Sequence, residues 1–166
     1  GLAIKKSIPS LIIVNKWDLV ENKTTGTAKA YATAIYDQIG DMAYVPILFV
    51  SCVKNQRISR ILEYCLKLSQ SSSVRVPTSQ VNAALEKIVA EHSPQIVKKI
   101  NKRIKFFYAT QIGVKPPTFI IKTNVPKELT DSYKRFMMKR LKSYLGFEEI
   151  PIIIKYRPKN ETEAKK

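Results

Sequence analysis

Cysteine is scarce in this 166-residue chain, and long hydrophobic runs are absent. Cys52 and Cys65 form neither a CxxC pair nor a Cys/His cluster, which favours free, buried thiols in a reducing compartment over a zinc site or a disulfide framework. The longest apolar runs are about five residues, whereas a membrane-spanning helix needs about 20. With no visible signal peptide, the sequence predicts a cytoplasmic protein with no metal site and no membrane contact.

Acidic side chains are also few, with 13 Asp and Glu against 29 Lys and Arg, a net charge of +16. Residues 1–76 carry 10 basic and 5 acidic side chains, and residues 77–166 carry 19 and 8. A field of this sign attracts polyanions. The second half is therefore the better candidate for a nucleic-acid partner, although surplus lysine on an ordinary solvated surface is the alternative.

The first half alternates short apolar runs with helical patterns. Residues 11–14 (LIIV) and 45–51 (VPILFVS) have the form of strands buried in a parallel sheet. A helix is predicted over Thr27–Ile39, ended by Gly40, and another over residues 56–70. The second helix is expected to bury Ile58, Ile61, Leu62, Cys65 and Leu66 and to expose Gln56, Arg57, Lys67 and Gln70. Two strands are too few for a stable α/β domain, and residues 1–6 resemble the end of an earlier helix, so we expect part of a larger domain.

The serine-rich stretch 69–79 predicts a linker, after which a new pattern begins. It comprises a helix capped by Thr78 or Ser79, a hairpin of residues 102–112 and 118–124, a helix ended by Gly146 and a strand over 150–157. The apolar positions expected to face inward are Val81, Leu85, Ile88 and Val89 on the first helix, and Tyr133, Phe136, Met137, Leu141, Tyr144 and Leu145 on the second. This order predicts an α+β layer with helices on one face of a three-stranded sheet.

Four residues directly after the first strand have the spacing of a guanine-recognition motif, Asn15-Lys16-x-Asp18. A carboxylate at Asp18 can accept hydrogen bonds from both the ring N–H and the exocyclic amine of guanine, a pair that adenine cannot offer. Asn15 can bond the other edge of the purine, and the aliphatic stem of Lys16 can lie along the base. A simple Asx-turn is the alternative for these residues. Trp17 is predicted to be a packing residue.

Ser51 and Cys52 follow the second strand, 36 residues after Asn15. The carboxyl ends of parallel strands meet at the same edge of a sheet, where α/β proteins bind ligands. Ser51-Cys52 resembles the SA element of GTPases, in which a main-chain N–H reaches the guanine oxygen. We identify neither a GxxxxGK[ST] phosphate loop nor a DxxG metal-binding segment. Because phosphoryl transfer needs both, we expect that the chain by itself does not hydrolyse GTP.

Several segments, in this order and spacing, resemble the Der family, also called EngA. The most distinctive are VPILFVSCVKNQRISRIL, RVPTSQVN, YATQIGVKPPTF and GFEEIPIIIKYR, within a similarity from Leu11 to Arg157. The resemblance implies an α/β unit at residues 1–72 that is the C-terminal half of a P-loop GTPase domain, a linker at 73–77, an α+β KH-like domain at 78–157 and a disordered tail at 158–166. Members of this family have two consecutive GTPase domains before the KH-like domain and serve assembly of the large ribosomal subunit.

The resemblance also implies ligands and partners. GTP or GDP would contact Asn15, Lys16, Asp18, Ser51 and Cys52, with Mg²⁺ bound only in the complete protein. Cys52 replaces the usual alanine of the family, but the contact uses its main chain. The expected partners are the large ribosomal subunit or its precursor, ribosomal RNA and the remaining GTPase domains of the same protein. Because the KH-like half lacks a GxxG loop, its surface is expected either to bind RNA or to dock on a GTPase domain.

Basic residues on the last helix and strand are candidates for a ribosomal RNA contact: Lys134, Arg135, Lys139, Lys142, Lys155 and Arg157. A solvated helix face is the alternative for the helical ones. Phe106, Phe107, Tyr108 and Phe119 are expected mainly in the core rather than stacked on bases. His92 is expected to cap a helix or to be solvated. A second hypothesis for the whole chain is a stand-alone RNA- or ribosome-binding adaptor without nucleotide chemistry.

Overall fold

The computed structural model describes residues 2–93, 96–97 and 102–159. Contacts divide the chain into two compact units. Unit 1 contains residues 1–72 and 149–151, and unit 2 contains residues 73–148 and 152–166. Within the described residues, no helix has the length and apolar character needed to cross a membrane.

Unit 1 has the predicted order of strand, helix, strand and helix after a short N-terminal helix. Its elements are α1 (Leu2–Lys5), β1 (Ile12–Val14), α2 (Thr27–Ile39), β2 (Ile47–Phe49) and α3 (Ser59–Ser73). The two strands pair in parallel, with Ile12 opposite Ile47 and Val14 opposite Phe49. Gly40 ends α2 as predicted, because its φ of 50° favours a residue without Cβ.

Three sequence predictions are corrected in unit 1. Leu62 and Leu66 are 66% and 54% exposed rather than buried, and the buried residues of α3 are instead Leu68 and Ser72. Both cysteines are exposed, so the prediction of buried thiols was wrong. The helix also continues through residues 69–73, within the stretch predicted to be a linker. The hydroxyl of Ser72 bonds the carbonyl of Ser69 within the last turn.

Unit 2 has a three-stranded sheet in the order β5-β6-β7. Its elements are α4 (Thr78–Glu91), β3 (Ile96–Val97), β4 (Lys102–Arg103), β5 (Phe106–Gly113), β6 (Thr118–Thr123), α5 (Asp131–Leu145) and β7 (Ile153–Pro158). Strands β5 and β6 form the predicted antiparallel hairpin, and β7 runs parallel to β6. The antiparallel pair of β3 and β4 was not predicted. The predicted disordered tail begins at Pro158, which belongs to β7, and its residues 160–166 lie outside the described ranges.

Helix α4 packs on β5 through an amide side chain as well as through its apolar stripe. The Asn82 side chain accepts from the Ala109 N–H at 2.9 Å and donates to the Ala109 carbonyl at 3.0 Å, so it pairs with the backbone as a neighbouring strand would. Val81, Leu85 and Ile88 are buried as predicted. The expected cap is wrong, because Pro77 occupies the N-cap position and makes no side-chain cap bond.

Helix α5 begins at a side-chain cap and ends at a left-handed glycine. Thr130 accepts a hydrogen bond from the Tyr133 N–H, and Gly146 has a φ of 75°, as the sequence predicts for a helix end. Two predictions on this helix are wrong, because Tyr144 is 41% exposed and Lys142 only 9%. After Gly146 the chain turns back, with the N–H of buried Phe147 bonded to the carbonyl of Lys142 at 2.8 Å.

The aromatic residues of β5 and β6 divide between core and surface. Phe119 is fully buried, and Phe106 stacks on Tyr133 with ring centroids 5.9 Å apart. Phe107 and Tyr108 are 40% and 42% exposed, contrary to the expectation that the core holds most of this group. A register shift between Phe106 and Tyr108 interrupts the strict alternation of sides, which explains why two adjacent residues are both exposed.

Candidate functional site

The carboxyl ends of β1 and β2 bring the two predicted motifs together. Beyond the strands, the Val50 N–H donates to the Val14 carbonyl and the Trp17 N–H donates to the Val50 carbonyl, each at 2.9 Å. The segment from Asn15 to Asp18 therefore lies beside Ser51 and Cys52 at one edge of the two-stranded sheet.

Asn15 links the two segments directly. Its side-chain oxygen accepts a hydrogen bond from the main-chain N–H of Cys52 at 3.2 Å. The next residue, Lys16, has a left-handed φ of 62° and begins the 3-10 turn Trp17–Leu19. This turn moves the chain out of the strand direction within one residue, so that Asp18 follows immediately on the same edge. The side chains of Asn15 and Lys16 are exposed.

Asp18 is paired with a buried hydroxyl. The Ser51 hydroxyl donates to the Asp18 carboxylate, and this bond holds the pKa of Asp18 below its usual value. The positive charges of Lys54 and Lys23 lower the pKa further. Ser51 is fully buried, and its Oγ also accepts from the Lys54 N–H at 3.1 Å. The sequence predicted only a main-chain contact at Ser51 and Cys52, so this bond between side chains was missed.

The loop after Ser51 is closed by main-chain bonds. Ser51 and Gln56 exchange two of them, with the Ser51 N–H donating at 3.2 Å and the Gln56 N–H donating at 2.8 Å. The guanidinium of Arg57 donates to the Phe49 carbonyl at 3.3 Å. These contacts fix the position of the Cys52 main chain relative to the end of β2.

Trp17 packs beneath the motif as predicted, with only 5% of its surface exposed. Its ring lies 4.3 Å from Phe49 and 5.4 Å from Tyr31, the second in an edge arrangement. The ammonium of Lys23 lies 5.6 Å from the Trp17 ring. Burial of this ring anchors the 3-10 turn that contains Asp18.

The arrangement offers complementary hydrogen-bonding groups at one edge. Asp18 supplies a carboxylate acceptor and Asn15 a side-chain amide, while the Cys52 main-chain N–H is bonded to the Asn15 side-chain oxygen. Guanine presents a pair of donors on one edge and an acceptor oxygen next to them, which matches this set in kind. The described residues contain no group of three or more His, Cys, Asp and Glu able to hold a metal ion.

One D-x-x-G string was overlooked in the sequence. Asp37-Gln38-Ile39-Gly40 fits this pattern. In the structure Asp37 lies in the last turn of α2, and Gly40 is its C-cap. Residues 37–40 therefore form the end of α2, where the helix cap accounts for the glycine of the pattern.

The basic candidates of unit 2 occupy different environments. Arg135 and Lys139 are exposed on α5, and Lys134 forms an ion pair with Asp131 at 3.2 Å. Lys155 and Arg157 are exposed on β7. Lys142 is buried, and burial lowers its pKa to about 8, so the prediction of a surface contact for Lys142 was wrong.

His92 lies at the end of α4, as expected. It is the C-cap of this helix, with its N–H bonded to the carbonyl of Ile88, and it is exposed. Its ring lies 5.3 Å from that of Phe136, and its carbonyl accepts from the Tyr133 hydroxyl at 3.0 Å. These contacts assign His92 a structural position.

Comparison with known proteins identifies relatives along most of the chain. Residues 75–157 match a family model described as the KH-domain-like C-terminal domain of EngA bacterial GTPase enzymes. GTPase Der of Chlorobium phaeobacteroides is 36% identical over 158 residues, 95% of this chain and 36% of the relative. GTPase Der of Syntrophotalea carbinolica is 36% identical over 163 residues, which are 98% of this chain and 36% of that relative. GTPase Der of Caldanaerobacter subterraneus is 37% identical over 161 residues, which are 97% of this chain and 36% of that relative. The chain thus spans about a third of the length of these relatives.

Proposed function

Because the chain belongs to the EngA, or Der, family of bacterial GTPases, we propose that residues 1–72 are the base-recognition half of a P-loop GTPase domain. In this proposal residues 73–77 link that half to the KH-like domain. The parallel strands β1 and β2, with α2 between them, have the arrangement that such a half requires.

The proposed ligand is GTP or GDP, contacted by Asn15, Lys16, Asp18, Ser51 and Cys52. The observation that carries the proposal is the 3.2 Å hydrogen bond from the Cys52 N–H to the Asn15 side chain, which joins the two motif loops at one edge of the sheet. The Ser51 hydroxyl lowers the pKa of Asp18, whose carboxylate accepts from the ring N–H and amine of guanine. The Cys52 N–H, which donates to the Asn15 side chain in this structure, is shared with the guanine oxygen in the proposed complex, and the Lys16 stem lies along the base.

Hydrolysis is a property of the complete family protein in this proposal. The sequence of this chain has no GxxxxGK[ST] phosphate loop, and the Mg²⁺ and phosphate contacts that phosphoryl transfer needs come from other parts of the protein. The chain contributes recognition of the base and carries the KH-like domain. We place the protein in assembly of the large ribosomal subunit, with ribosomal RNA and the remaining GTPase domains as partners of its basic residues.

Competition among diphosphates tests the base specificity. Labelled GDP would be displaced from the full-length gene product that contains this sequence by unlabelled GDP, IDP or ADP. IDP lacks the exocyclic amine, so it loses one hydrogen bond to the Asp18 carboxylate and should compete about tenfold less well. ADP should compete far less than either. Equal competition by ADP and GDP would contradict the proposal.

A second candidate function is an RNA- or ribosome-binding adaptor that has no nucleotide chemistry. The exposed basic residues of unit 2, including Arg135, Lys139, Lys155 and Arg157, favour it. Measurement of RNA affinity with and without GDP distinguishes the two functions. An adaptor binds RNA equally well in both conditions, and replacement of Asp18 does not change its RNA affinity.

A further inference from the structure

One face of the β5-β6-β7 sheet carries aromatic and basic side chains in register. Tyr108 is opposite Lys122, and Lys122 is opposite Arg157. Thr110, Ile120 and Lys155 form the adjacent row in the same way. Residues directly opposite each other in neighbouring strands project to the same side of a sheet. Ile120 and Lys122 are two residues apart on β6, so their side chains also share a side and both rows belong to one face.

The exposed members of this face lie at its two edges. Tyr108 is 42% exposed on β5, and Lys155 and Arg157 are exposed on β7. Lys122 and Ile120, in the central strand, are buried between them. Because neighbouring strands are about 4.8 Å apart, the backbone of the aromatic edge strand β5 lies about 10 Å from that of the basic edge strand β7, a distance that long side chains can span.

A second aromatic residue and a further cation stand beside these rows. Phe107, next to Tyr108 at the register shift, is 40% exposed. The ammonium of Lys159, which follows β7, lies 5.1 Å from the centre of the Phe107 ring. We define the aromatic-basic sheet face by these five exposed residues: Phe107, Tyr108, Lys155, Arg157 and Lys159.

Acidic residues are segregated away from this sheet. The 36 residues from His92 to Lys127 contain eight Lys and Arg and no Asp or Glu, and β7 contains no acidic residue either. In the described part of unit 2 the acidic residues lie on the helices and their flanking turns: Glu86, Glu91, Glu128, Asp131 and Glu148. Strands β5, β6 and β7 thus carry Lys and Arg but no Asp or Glu, which favours a polyanion at the sheet face.

We propose that the aromatic-basic sheet face binds single-stranded RNA, with bases stacked on Tyr108 and Phe107 and phosphates paired with Lys155, Arg157 and Lys159. Exposed rings beside a row of cations are the combination that binds unpaired nucleotides, since stacking uses the faces of the bases and the cations follow the backbone. A duplex hides those base faces, so single strands are the preferred form. This inference rests on the ribosomal RNA contact proposed above and assigns that contact to the sheet rather than to α5.

Fluorescence anisotropy on the full 166-residue chain tests the assignment, with fluorescein-labelled 12-nucleotide uridine and adenosine oligomers as probes. Tyr108→Ala should weaken binding about tenfold or more, because base stacking on one ring is lost. Tyr108→Phe keeps the ring and should stay within about twofold of the wild type. Tyr108 is partly exposed, and circular dichroism melting would verify that both variants fold.

Charge reversal decides which of two surfaces of unit 2, the β7 edge of the sheet or α5, makes the RNA contact. Lys155→Glu combined with Arg157→Glu should abolish detectable binding and flatten its dependence on salt. The matched control, Arg135→Glu combined with Lys139→Glu on α5, makes the same change of charge and should have a much smaller effect. A larger loss in the α5 variant than in the β7 variant would overturn the sheet assignment while leaving an RNA contact in place.

Further outcomes decide the class of ligand. Equal affinity for a duplex of the same sequences, or stronger binding to vesicles containing phosphatidylglycerol than to either oligomer, would overturn the single-stranded RNA assignment. Absence of binding to every RNA would overturn both the sheet assignment and the ribosomal RNA contact. Competition between GDP and ADP is measured separately, so none of these results is confused with a failure of guanine recognition.

Discussion

The side-chain oxygen of Asn15 accepts a hydrogen bond from the main-chain N–H of Cys52 at 3.2 Å, although the two residues are 37 positions apart. This bond joins the loop after β1 to the loop after β2 at the edge where the proposed guanine site lies. Loss of the bond should therefore affect both loops together.

Asn15→Ala should increase the mobility of the loop after β2, although the substitution is in the loop after β1. Alanine cannot accept from the Cys52 N–H, so hydrogen exchange at that amide should become faster while amides within β2 keep their protection. GDP affinity at one of the two nucleotide sites expected in the full-length gene product should fall about tenfold, since one orienting bond is lost. Gln38→Ala, at an exposed position of α2, is the control. Unchanged exchange at Cys52 would contradict the link.

Ser51→Ala should change the titration of Asp18. The Ser51 hydroxyl bond is the main cause that lowers the pKa of Asp18, so its removal should move that pKa upward, toward 3.8. An ionised Asp18 is required for base recognition, so GDP binding by the variant should be lost at a higher pH than in the wild type as the solution is acidified. A ¹³C NMR titration of the Asp18 carboxyl group measures the shift, and coincident curves would refute it.

Lys142→Met should stabilise unit 2 at neutral pH, because it replaces a buried cation by an apolar side chain of similar length. The pKa of Lys142 is lowered by burial from 10.5 to about 8. Between these values the unfolded chain holds the proton and the folded chain does not, so the stability contributed by Lys142 rises with pH. The advantage of methionine, about 1 kcal/mol, should thus be complete below pH 8 and vanish toward 10.5.

Urea unfolding of both proteins from about pH 7 to 10.5 measures this difference. The raised pKa values of Tyr133 and Tyr144 also affect alkaline stability. They contribute equally to wild type and variant, so subtraction removes their effect. A difference that grows with pH would contradict the assigned cause.

Asn82→Ala should destabilise unit 2 by about 2 kcal/mol, because the N–H and carbonyl of buried Ala109 lose their partners. Asn82→Asp keeps an acceptor for the N–H but no donor for the carbonyl, and should cost part of that amount. Gln80→Ala, an exposed position on the same helix, should change the unfolding midpoint little. A cost for Asn82→Ala as small as that of Gln80→Ala would show that the strand edge does not need this amide.

Elements with a strong local signal were predictable from sequence. The bounds of α2, Thr27–Ile39, follow from its pattern and from Gly40, and the hairpin of β5 and β6 follows from two β-rich runs around residues 113–117. The paired motifs after β1 and β2 were predictable because parallel strands end at one edge. These features depend on neighbours in sequence or on a simple topological rule.

Features set by distant contacts were not predictable. Helical periodicity places Lys142 outward, but the turn after Gly146 packs Phe147 over that end of α5. Leu66 has the spacing of a buried residue, yet it stays 54% exposed. The bond from Ser51 to Asp18 needs a distance between side chains on two separate loops, which spacing alone does not supply. Tertiary context decided each of these cases.

Substitution of Asp18 by asparagine tests guanine recognition most directly, by comparing the affinities of GDP and XDP for the full-length gene product. The new amide would present a donor as well as an acceptor, and xanthine carries an oxygen in place of the guanine amine, so the pairing should be restored for XDP. The account predicts that Asp18→Asn loses at least about tenfold in GDP affinity and gains in XDP affinity at one of the two nucleotide sites expected in that product, while the other site keeps its preference for GDP. Unchanged preference for GDP over XDP would contradict the assignment of Asp18 to the base.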